Sequence, residues 1–375
     1  MKIDYVTIGN ASDIHNWSGL EYNIAQTLGN HVGQVNYIGN LKIKDSFYSF
    51  NKRLLYRLFG NRIVWAREPS FAQQCANQVK SRIQADTDIV FSPGTVATAL
   101  LETNKPKVIY TDICFATYSS TYYSDVSNLT IRNGNYLEKK ALDSASLSLF
   151  SSEYGARTAI DYYNLNPEKV KVVPFGANIN HNLSRDVIKE KVLQRRYHEC
   201  HLIFIGVQWE RKGGDLAVKI AEKLNKMGLR TILHIVGIKK IPLKEIPWFI
   251  EDHGFISKAD LNGEKKLIEL ISSCHFLLLP TRVEAYGLVF CEANSLGLPA
   301  VTTNVGGITT IIKDDINGKM FSLEQEDKDY ADYIFSVFND RNKYVQMALS
   351  SYDEYEERLN WNVAGKKIAC LLQAL

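Results

Sequence analysis

The sequence lacks any long apolar segment. Its apolar runs reach five or six residues, whereas a helix that spans a membrane needs about 20. A secretory leader is not predicted either, because Asp4 would fall inside its apolar core. The first residues are better explained as a buried strand. We therefore expect a cytoplasmic protein without a membrane-spanning helix.

Cysteine and net charge are also low. The six cysteines form no Cys-x-x-Cys pair, which is typical of reduced thiols in the cytoplasm rather than of a disulfide framework. The formal net charge is only +3, so bulk charge does not indicate a nucleic-acid partner. Gly-x-Gly-x-x-Gly and Walker loops are absent from the sequence, which argues against dehydrogenases and P-loop NTPases.

Two α/β domains are predicted from the order of the apolar segments. A chain of 375 residues is long enough for two domains with separate cores. Continuous apolar strands that alternate with helical patterns are typical of doubly wound parallel sheets. A polar joint at 174–182 places the domains at 1–178 and 179–359. Strands are predicted at 3–8, 35–39, 88–92, 107–111, 147–151, 170–173, 201–206, 230–236, 275–279 and 299–303, and helices at 20–28, 71–84, 95–103, 132–143, 153–163, 213–226, 260–273 and 288–296.

The most informative motif is a pair of glutamates eight residues apart, Glu284 and Glu292. The apolar run 275–279 predicts a buried strand, Gly287 a tight turn, and 288–296 a helix. Glu284 then lies at the carboxyl end of the strand, which is the ligand-binding edge of a parallel sheet. Free N–H groups at the helix start are suited to a phosphate. Carboxylates on both sides of that phosphate site suit a ligand with hydroxyl groups on both sides of a diphosphate, such as a nucleotide sugar.

Together with the residues that follow it, this pair resembles the signature of glycosyltransferase family 4, the retaining enzymes of GT-B fold. The resemblance extends over nearly the whole chain and implies two Rossmann-like, doubly wound parallel-sheet domains that face each other across a cleft. It also implies that a last helix at about 360–375 crosses back onto the first domain. The residues and segments that carry the resemblance are Glu284, Glu292, Ala293, Gly297, Pro299, 173–178, 303–308 and 317–318.

The resemblance assigns roles to the donor-binding residues. It implies that Glu292 binds the ribose hydroxyls and that Glu284 contacts hydroxyls of the transferred sugar. Gly19, in a glycine loop after the first strand, is predicted to let the backbone approach the donor diphosphate; an ordinary strand-to-helix loop is the alternative. The full predicted donor set is Gly19, Ile256, Ala285, Tyr286, Gly287, Leu288, Val289 and Glu292.

A second glycine loop, 204–215, is expected to supply positive charge. Many family members carry an Arg directly after the first Gly and a Lys before a later Gly. Lys212 matches the Lys, Val207 stands at the Arg position, and we assign Arg211 as the candidate replacement. Two cations that face a leaving diphosphate would offset charge in the transition state. The alternative is a solvated Arg-Lys pair at a helix start, where the dipole disfavours cations.

Asp112 stands in a third loop, near the position at which many relatives carry a His that contacts the transferred sugar. A catalytic role and a helix N-cap are both open for this residue. Ser152 and Glu153 resemble the Ser-Glu segment of the family, and a helix cap is an equally good explanation for them.

Neither a cofactor nor an obligatory metal is expected. The pair Asp86 and Asp88 imitates a metal-binding Asp-x-Asp motif, but it continues directly into a strand and has no second acidic cluster. His198 and His201 have no third ligand nearby in the sequence and do not form a His-Glu-x-x-His motif. They are predicted to lie at the edge of a strand.

The segment from Leu41 to Arg67 is more basic than the whole chain, with seven Lys or Arg residues against one Asp. Basic residues with apolar ones between them are typical of helices that lie on an anionic membrane surface, which would admit a lipid-linked acceptor. A solvated basic helix is the alternative. Peripheral contact with the inner face of the cytoplasmic membrane therefore stays open. The apolar residues are Phe47, Tyr48, Phe50, Leu54, Leu55, Tyr56, Leu58 and Phe59.

These observations predict a retaining glycosyltransferase that moves a sugar from a nucleotide-diphosphate sugar to a glycan or lipid-linked acceptor, in surface polysaccharide or glycolipid synthesis. No side chain stands out as a covalent nucleophile, so positioning and electrostatics would carry the chemistry. The alternatives are a nucleotide-sugar epimerase or a phosphorylase of the same fold, and a catalytically silent carbohydrate-binding protein.

Overall fold

The computed structural model describes residues 1–14, 16–58 and 60–375, and this chain divides into two compact units. Unit 1 contains Met1–Pro174 and Ala364–Leu375, and unit 2 contains Phe175–Val363. Phe59 and the side chain of Tyr48, both assigned above to the basic segment, lie outside the described residues.

Unit 1 contains a parallel sheet with helices between its strands. Its strands are β1 (Lys2–Val6), β2 (Gln34–Ile38), β3 (Ile89–Ser92), β4 (Lys107–Thr111), β5 (Leu147–Phe150) and β6 (Val170–Val172). Its helices include α1 (Leu20–His31), α2 (Phe47–Leu58), α3 (Pro69–Lys80), α4 (Phe115–Tyr122), α5 (Asn128–Ser144) and α6 (Glu153–Tyr163). Over the described residues, the sheet order is β2-β1-β3-β4-β5-β6 and neighbouring strands pair in parallel.

Unit 2 repeats this architecture. Its strands are β7 (Cys200–Ile205), β8 (Thr231–Val236), β9 (Ile250–Asp252), β10 (Phe276–Leu279), β11 (Ala300–Thr303) and β12 (Gly318–Phe321). The remaining helices are α7 (Arg185–Leu193), α8 (Trp209–Lys212), α9 (Gly214–Lys226), α10 (Leu261–Ser273), α11 (Leu288–Ser295), α12 (Ile308–Ile311), α13 (Asp327–Asn339), α14 (Arg341–Arg358) and α15 (Trp361–Gln373). Parallel pairing gives the order β12-β11-β10-β7-β8-β9 for the described strands.

The central strands are short, apolar and buried because helices cover both faces of each sheet. In β10, all four residues, Phe276 to Leu279, are inaccessible to solvent. Side-chain oxygens of Ser127, Ser152 and Asp260 cap the starts of α5, α6 and α10 by accepting backbone N–H groups. These features confirm the doubly wound α/β fold class.

One predicted helix is wrong. Residues 96–100 form turns and 101–103 have no regular structure; Thr98 N–H donates to Thr95 O, and Leu101 N–H donates to Thr98 O. The Thr95 hydroxyl donates instead to the carboxylate of Glu138. Side-chain hydrogen bonding by threonine competes with regular helical bonding, and the branched side chains of this stretch lower its helix propensity.

The C-terminal helix returns to the first unit. Most of helix α15 lies within the segment Ala364–Leu375, which belongs to unit 1. Gly365 in that segment is packed so closely that a Cβ atom there would lie 2.2 Å from Cδ2 of His31. Within residues 1–14, 16–58 and 60–375, no helix combines the length and the apolar character needed to cross a membrane.

Candidate functional site

The site is built where two loops of unit 2 leave the same edge of the sheet. Strand β7 is the first strand of the unit, and it lies between β8, the next strand in the chain, and β10. The chain therefore winds away from β7 in opposite directions on its two sides. A doubly wound sheet opens a crevice at such a point, beyond the carboxyl ends of its strands. The loops that follow β7 and β10 carry the candidate residues.

The loop after β7 is fixed against the loop after β10 by close backbone packing. Gly213 has a φ of +74°, and a Cβ atom there would lie 2.0 Å from the carbonyl oxygen of Pro280. The Arg211 carbonyl accepts hydrogen bonds from the Arg282 N–H at 2.8 Å and from the Thr281 hydroxyl at 3.1 Å. Only glycine therefore fits at position 213, which turns the chain directly after the two candidate cations.

Lys212 and Glu284 form an ion pair between these loops. The Lys212 ammonium donates to Oε2 of Glu284, and each side chain is only 10% exposed. Arg211 lies on the same side, with Nη1 3.8 Å from that oxygen and 2.9 Å from the Val283 carbonyl. The interpretation of Lys212 as a solvated cation is thus wrong, because it is almost buried against a carboxylate. Val207 is 65% exposed and carries no charge.

The glutamate loop is also held from the other side, by the segment after β11. Gly306 has a φ of +56°, and a Cβ atom there would lie 1.8 Å from the carbonyl oxygen of Glu284. The Gly307 N–H donates to the Ala285 carbonyl at 3.1 Å. The glycines of the 303–308 segment therefore position the backbone of the glutamate pair.

Glu292 lies inside α11 and has a partner that the sequence did not suggest. Its side chain is 3% exposed and accepts a hydrogen bond from the Lys258 ammonium. Lys258 lies in the loop between β9 and α10, two residues after Ile256, which is half-buried. No sequence spacing indicates this pair, because the two residues are 34 positions apart and belong to separate elements.

The start of α11 matches the predicted phosphate site in its backbone geometry. Gly287 is the N-cap, with a φ of +98° and no side-chain capping bond. The first N–H groups of a helix have no intrahelical acceptor, and Leu288 and Val289 are only half-buried. Tyr286 is oriented differently: its hydroxyl donates to the Phe175 carbonyl at 2.8 Å and its ring is buried. Only the backbone of Tyr286 is therefore available to a donor.

Two candidate residues belong to unit 1. Gly19 is the N-cap of α1 with a φ of +84°, and Trp17 and Ser18 before it also have positive φ. Asp112 accepts the Ile113 N–H at 2.8 Å, and Cys114 is the N-cap of α4, so the N-cap explanation of Asp112 is wrong. Ser152 does cap α6. Donor contacts by Gly19 and Asp112 stay predictions.

The two motifs that only imitate metal sites lie beside strands of the sheets. Asp88 accepts the backbone N–H of Lys2 at 2.8 Å, and Asp86 pairs with the Lys2 ammonium. His201 lies in β7, as expected from the apolar strand, whereas His198 is 68% exposed before that strand.

Comparison with known proteins shows similarity to glycosyltransferases. Residues 189–353 match the family model described as Glycosyl transferases group 1. A D-inositol 3-phosphate glycosyltransferase from Acidothermus cellulolyticus is 26% identical over 175 residues, covering 44% of this chain and 39% of that protein. The lipopolysaccharide glucosyltransferase WaaG from Escherichia coli is 27% identical over 175 residues, covering 44% of this chain and 46% of its own length. The alignments thus cover less than half of either relative.

Solved structures show the fold over the full length. Crystal structures of WaaG and of Anabaena Alr3699/HepE in complex with UDP and glucose have TM-scores of 0.64 and 0.65, each with 16% sequence identity and complete coverage of both chains. Sucrose-phosphate synthase from Thermosynechococcus elongatus reaches 0.69 at 12% identity, covering 100% of this chain and 98% of its own. The chain therefore has the fold of the GT-B glycosyltransferases, and its residues 189–353 are similar to the group 1 glycosyl transferases, which fits the family 4 type that its motifs resemble.

Proposed function

We propose that this protein is a retaining glycosyltransferase that uses a nucleotide-diphosphate sugar. The observation that carries the proposal is the contact between Lys212 and Glu284 at the switch point of the sheet, beside a helix start with no side-chain cap. One fold neighbour, Anabaena Alr3699/HepE, was crystallised in complex with UDP and glucose. That neighbour supports the same class of donor here.

The donor would occupy the edge of unit 2 with its diphosphate at the start of α11. Backbone N–H groups of Gly287, Leu288 and Val289 would bind phosphate oxygens. Glu284 would accept hydrogen bonds from hydroxyl groups of the sugar. A carboxylate has about four lone-pair positions, and Lys212 occupies only one of them. Glu292 would accept the ribose hydroxyls, with Lys258 holding its carboxylate in place.

The chemistry would depend on charge stabilisation. The bond between the anomeric carbon and the diphosphate oxygen breaks, and the acceptor oxygen bonds to the same face of that carbon. The acceptor proton passes to the leaving diphosphate. Lys212 and Arg211 would stabilise the negative charge that develops on the leaving group, and such preorganised donors contribute about 2.7–4 kcal/mol each.

A donor screen tests the proposal. Thermal unfolding is followed with uridine, guanosine and adenosine diphosphates and their sugars, and a ligand at 100 times its Kd stabilises the protein by about 2.7 kcal/mol. Transfer products of the best donor are then analysed by NMR, which should show that the anomeric configuration is kept. Inversion would exclude the retaining mechanism. Interconversion of sugars without an acceptor would indicate an epimerase, and binding without turnover would indicate a silent carbohydrate-binding protein.

We also propose that the acceptor is lipid-linked and that α2 contacts the membrane. Phe47, Phe50, Leu54 and Leu58 are 83, 54, 51 and 76% exposed, and their spacing of three and four residues places them on one face of the helix. An exposed apolar face on a helix with basic residues is typical of interfacial membrane binding. Relatives support this acceptor class, because WaaG is named as a lipopolysaccharide glucosyltransferase.

Charge contributes less to this surface than the sequence suggested. Lys52 pairs with Glu68 at 2.7 Å and Arg53 pairs with Asp45, so part of the basic character is neutralised within the protein. We therefore expect the apolar face to dominate, since full burial of a large apolar side chain contributes about 1.5–3 kcal/mol, whereas a basic residue near an anionic surface contributes about 1 kcal/mol.

Vesicle flotation with anionic and neutral phospholipids separates the two contributions. An apolar variant, in which three exposed apolar side chains of α2 are replaced, should lose binding. A charge variant, in which three basic side chains of α2 are replaced, should keep a weaker binding that is less sensitive to salt. If the unmodified protein never floats with anionic vesicles, α2 is a solvated helix and the acceptor is soluble. The apolar variant is Phe47→Ser with Phe50→Ser and Leu54→Ser, and the charge variant is Lys52→Gln with Arg53→Gln and Arg57→Gln.

A further inference from the structure

Three histidines and a glutamate lie close together on or directly after the strands β7, β8 and β9 at one edge of the unit 2 sheet. They lie outside the site described above. His201 lies in β7, His234 in β8, and His253 directly after the edge strand β9. Glu251 of β9 is in register with His234. None of these residues belongs to the proposed donor site, and no sequence motif indicates the cluster because His234 lies in β8, whereas Glu251 lies in β9 and His253 directly after it.

Three potential ligand atoms converge on one point. His234 Nδ1 lies 3.0 Å from His253 Nε2 and 3.1 Å from Glu251 Oε2, and the last two atoms are 3.8 Å apart. Tetrahedral Zn²⁺ with bonds of about 2.0–2.1 Å sets its ligand atoms about 3.3–3.4 Å apart. The observed triangle therefore has the size of one face of a zinc tetrahedron.

The hydrogen bonds around His234 favour a cation in this triangle. Glu199 Oε1 accepts from His201 Nε2 at 3.2 Å, because an ionised carboxylate can only accept. With its ring proton on Nε2, His201 accepts at Nδ1 a hydrogen bond from His234 Nε2 at 2.9 Å. In this tautomer His234 presents the lone pair of Nδ1 to the lone pairs of Glu251.

His234 Nδ1 and the Glu251 carboxylate both need a hydrogen-bond donor. His253 Nε2 carries one N–H at most, so it can donate to only one of them. A metal ion would satisfy all three lone pairs together. The hydrogen bond from His234 to His201 is also the outer contact that ligating histidines usually make.

We propose that His234, Glu251 and His253 bind a divalent transition-metal ion, with Zn²⁺ the best fit. Two imidazoles and a carboxylate are ligands that Zn²⁺, Co²⁺ and Ni²⁺ prefer, whereas Mg²⁺ and Ca²⁺ prefer oxygen ligands. Glu251 is 54% exposed, so the ion can enter from solvent and keep water at its fourth position. The ion would fix β9 to β8 and anchor the start of the loop that carries Lys258.

Metal titration tests the site without reference to transfer activity. The protein is stripped with chelator, dialysed and titrated with ZnCl₂, CoCl₂ or MgCl₂ at pH 8 by calorimetry and by the visible absorption of bound Co²⁺. All proteins carry Cys370→Ser and no histidine tag, because the thiol of Cys370 is exposed and would compete for metal. We expect one equivalent of Zn²⁺, an intense tetrahedral Co²⁺ spectrum and no Mg²⁺ binding.

Matched variants identify the ligands. Glu251→Gln and His253→Gln should each weaken Zn²⁺ binding by more than the 10- to 100-fold that is roughly typical of outer-contact mutations. Their controls change exposed residues of the same type, Glu222→Gln and His198→Gln, and should bind as the parent does. Circular dichroism of each metal-free variant checks that it folds. The proposal is overturned if the parent binds no Zn²⁺, or if both ligand variants bind it as tightly as the parent.

Discussion

Removing the charge of Lys212 is the sharpest test of the proposed site. Lys212→Met keeps an apolar stem of similar length and deletes the ammonium group that contacts Glu284. Both side chains of the pair are 10% exposed. The remaining nearby cation is Arg211, whose Nη1 lies 3.8 Å from the same carboxylate oxygen, so Glu284 would keep a weaker and more distant partner.

The substitution should affect stability and turnover by different amounts. Breaking a fully buried ion pair costs about 3–5 kcal/mol, but Arg211 and the solvent-facing edge of the sheet reduce this cost. We expect the free energy of unfolding to fall by about 1–3 kcal/mol, the range for a buried polar group that loses its partner. Turnover should fall by roughly two to three decades, the effect of removing one charge-stabilising donor.

A double-mutant cycle with Glu284→Gln distinguishes a catalytic cation from a structural one. The double variant removes both charges of the pair, and Arg211 keeps its hydrogen bond to the Val283 carbonyl, so the free energy of unfolding in urea should return to within about 1 kcal/mol of the parent. Its initial rate of sugar transfer should be lower than that of Glu284→Gln alone, because the cation is missing as well. Lys219→Met, at an exposed position of α9, is the control. If the double variant transferred sugar as fast as Glu284→Gln alone, Lys212 would be only structural and the reasoning would be refuted.

Three further outcomes are expected from the same geometry. Glu292→Ala should weaken binding of the nucleoside diphosphate and of the sugar donor alike, whereas Glu284→Ala should lower turnover more than diphosphate affinity; equal losses of affinity in calorimetry would contradict the two roles. Arg211→Ala should lower kcat by a factor comparable to that of Lys212→Met, and full activity would leave Lys212 as the main cation. Transfer should persist in excess chelator, and complete loss that manganese or magnesium restores would show that a metal takes part in the chemistry.

The fold was predictable where local pattern and tertiary environment agree. Strand β10 and helix α11 follow from an apolar run, a glycine turn and a helical pattern, all within 275–296. Strand β9 was missed because it contains only three residues, two of them exposed acids. The turns at 96–100 were missed because the hydrogen bond from Thr95 to Glu138 joins residues far apart in the chain.

In the candidate site too, local motifs are visible in the sequence, whereas contacts between distant segments are not. The glutamates and Lys212 were proposed from two separate local motifs, and the structure places the loops of Glu284 and Lys212 at the switch point of the sheet. Lys258 was missed because its contact with Glu292 depends on how two separate loops pack. The histidine cluster was missed for the same reason, since strand register alone brings Glu251 beside His234. Local sequence identifies which residues a loop offers, and the sheet order determines which of them meet.

The two glutamates share an arrangement that bears on how a donor would bind. Each is almost buried and each contacts a lysine from another loop, Lys212 for Glu284 and Lys258 for Glu292. A buried carboxylate without a partner would be costly, and each lysine offsets that cost for the acid that it contacts. When a nucleotide sugar binds, its hydroxyl groups can donate to the carboxylates while its phosphates attract the ammonium of Lys212. The Lys212 ammonium would then turn from the Glu284 carboxylate towards the phosphates. Its positive charge would face the leaving group.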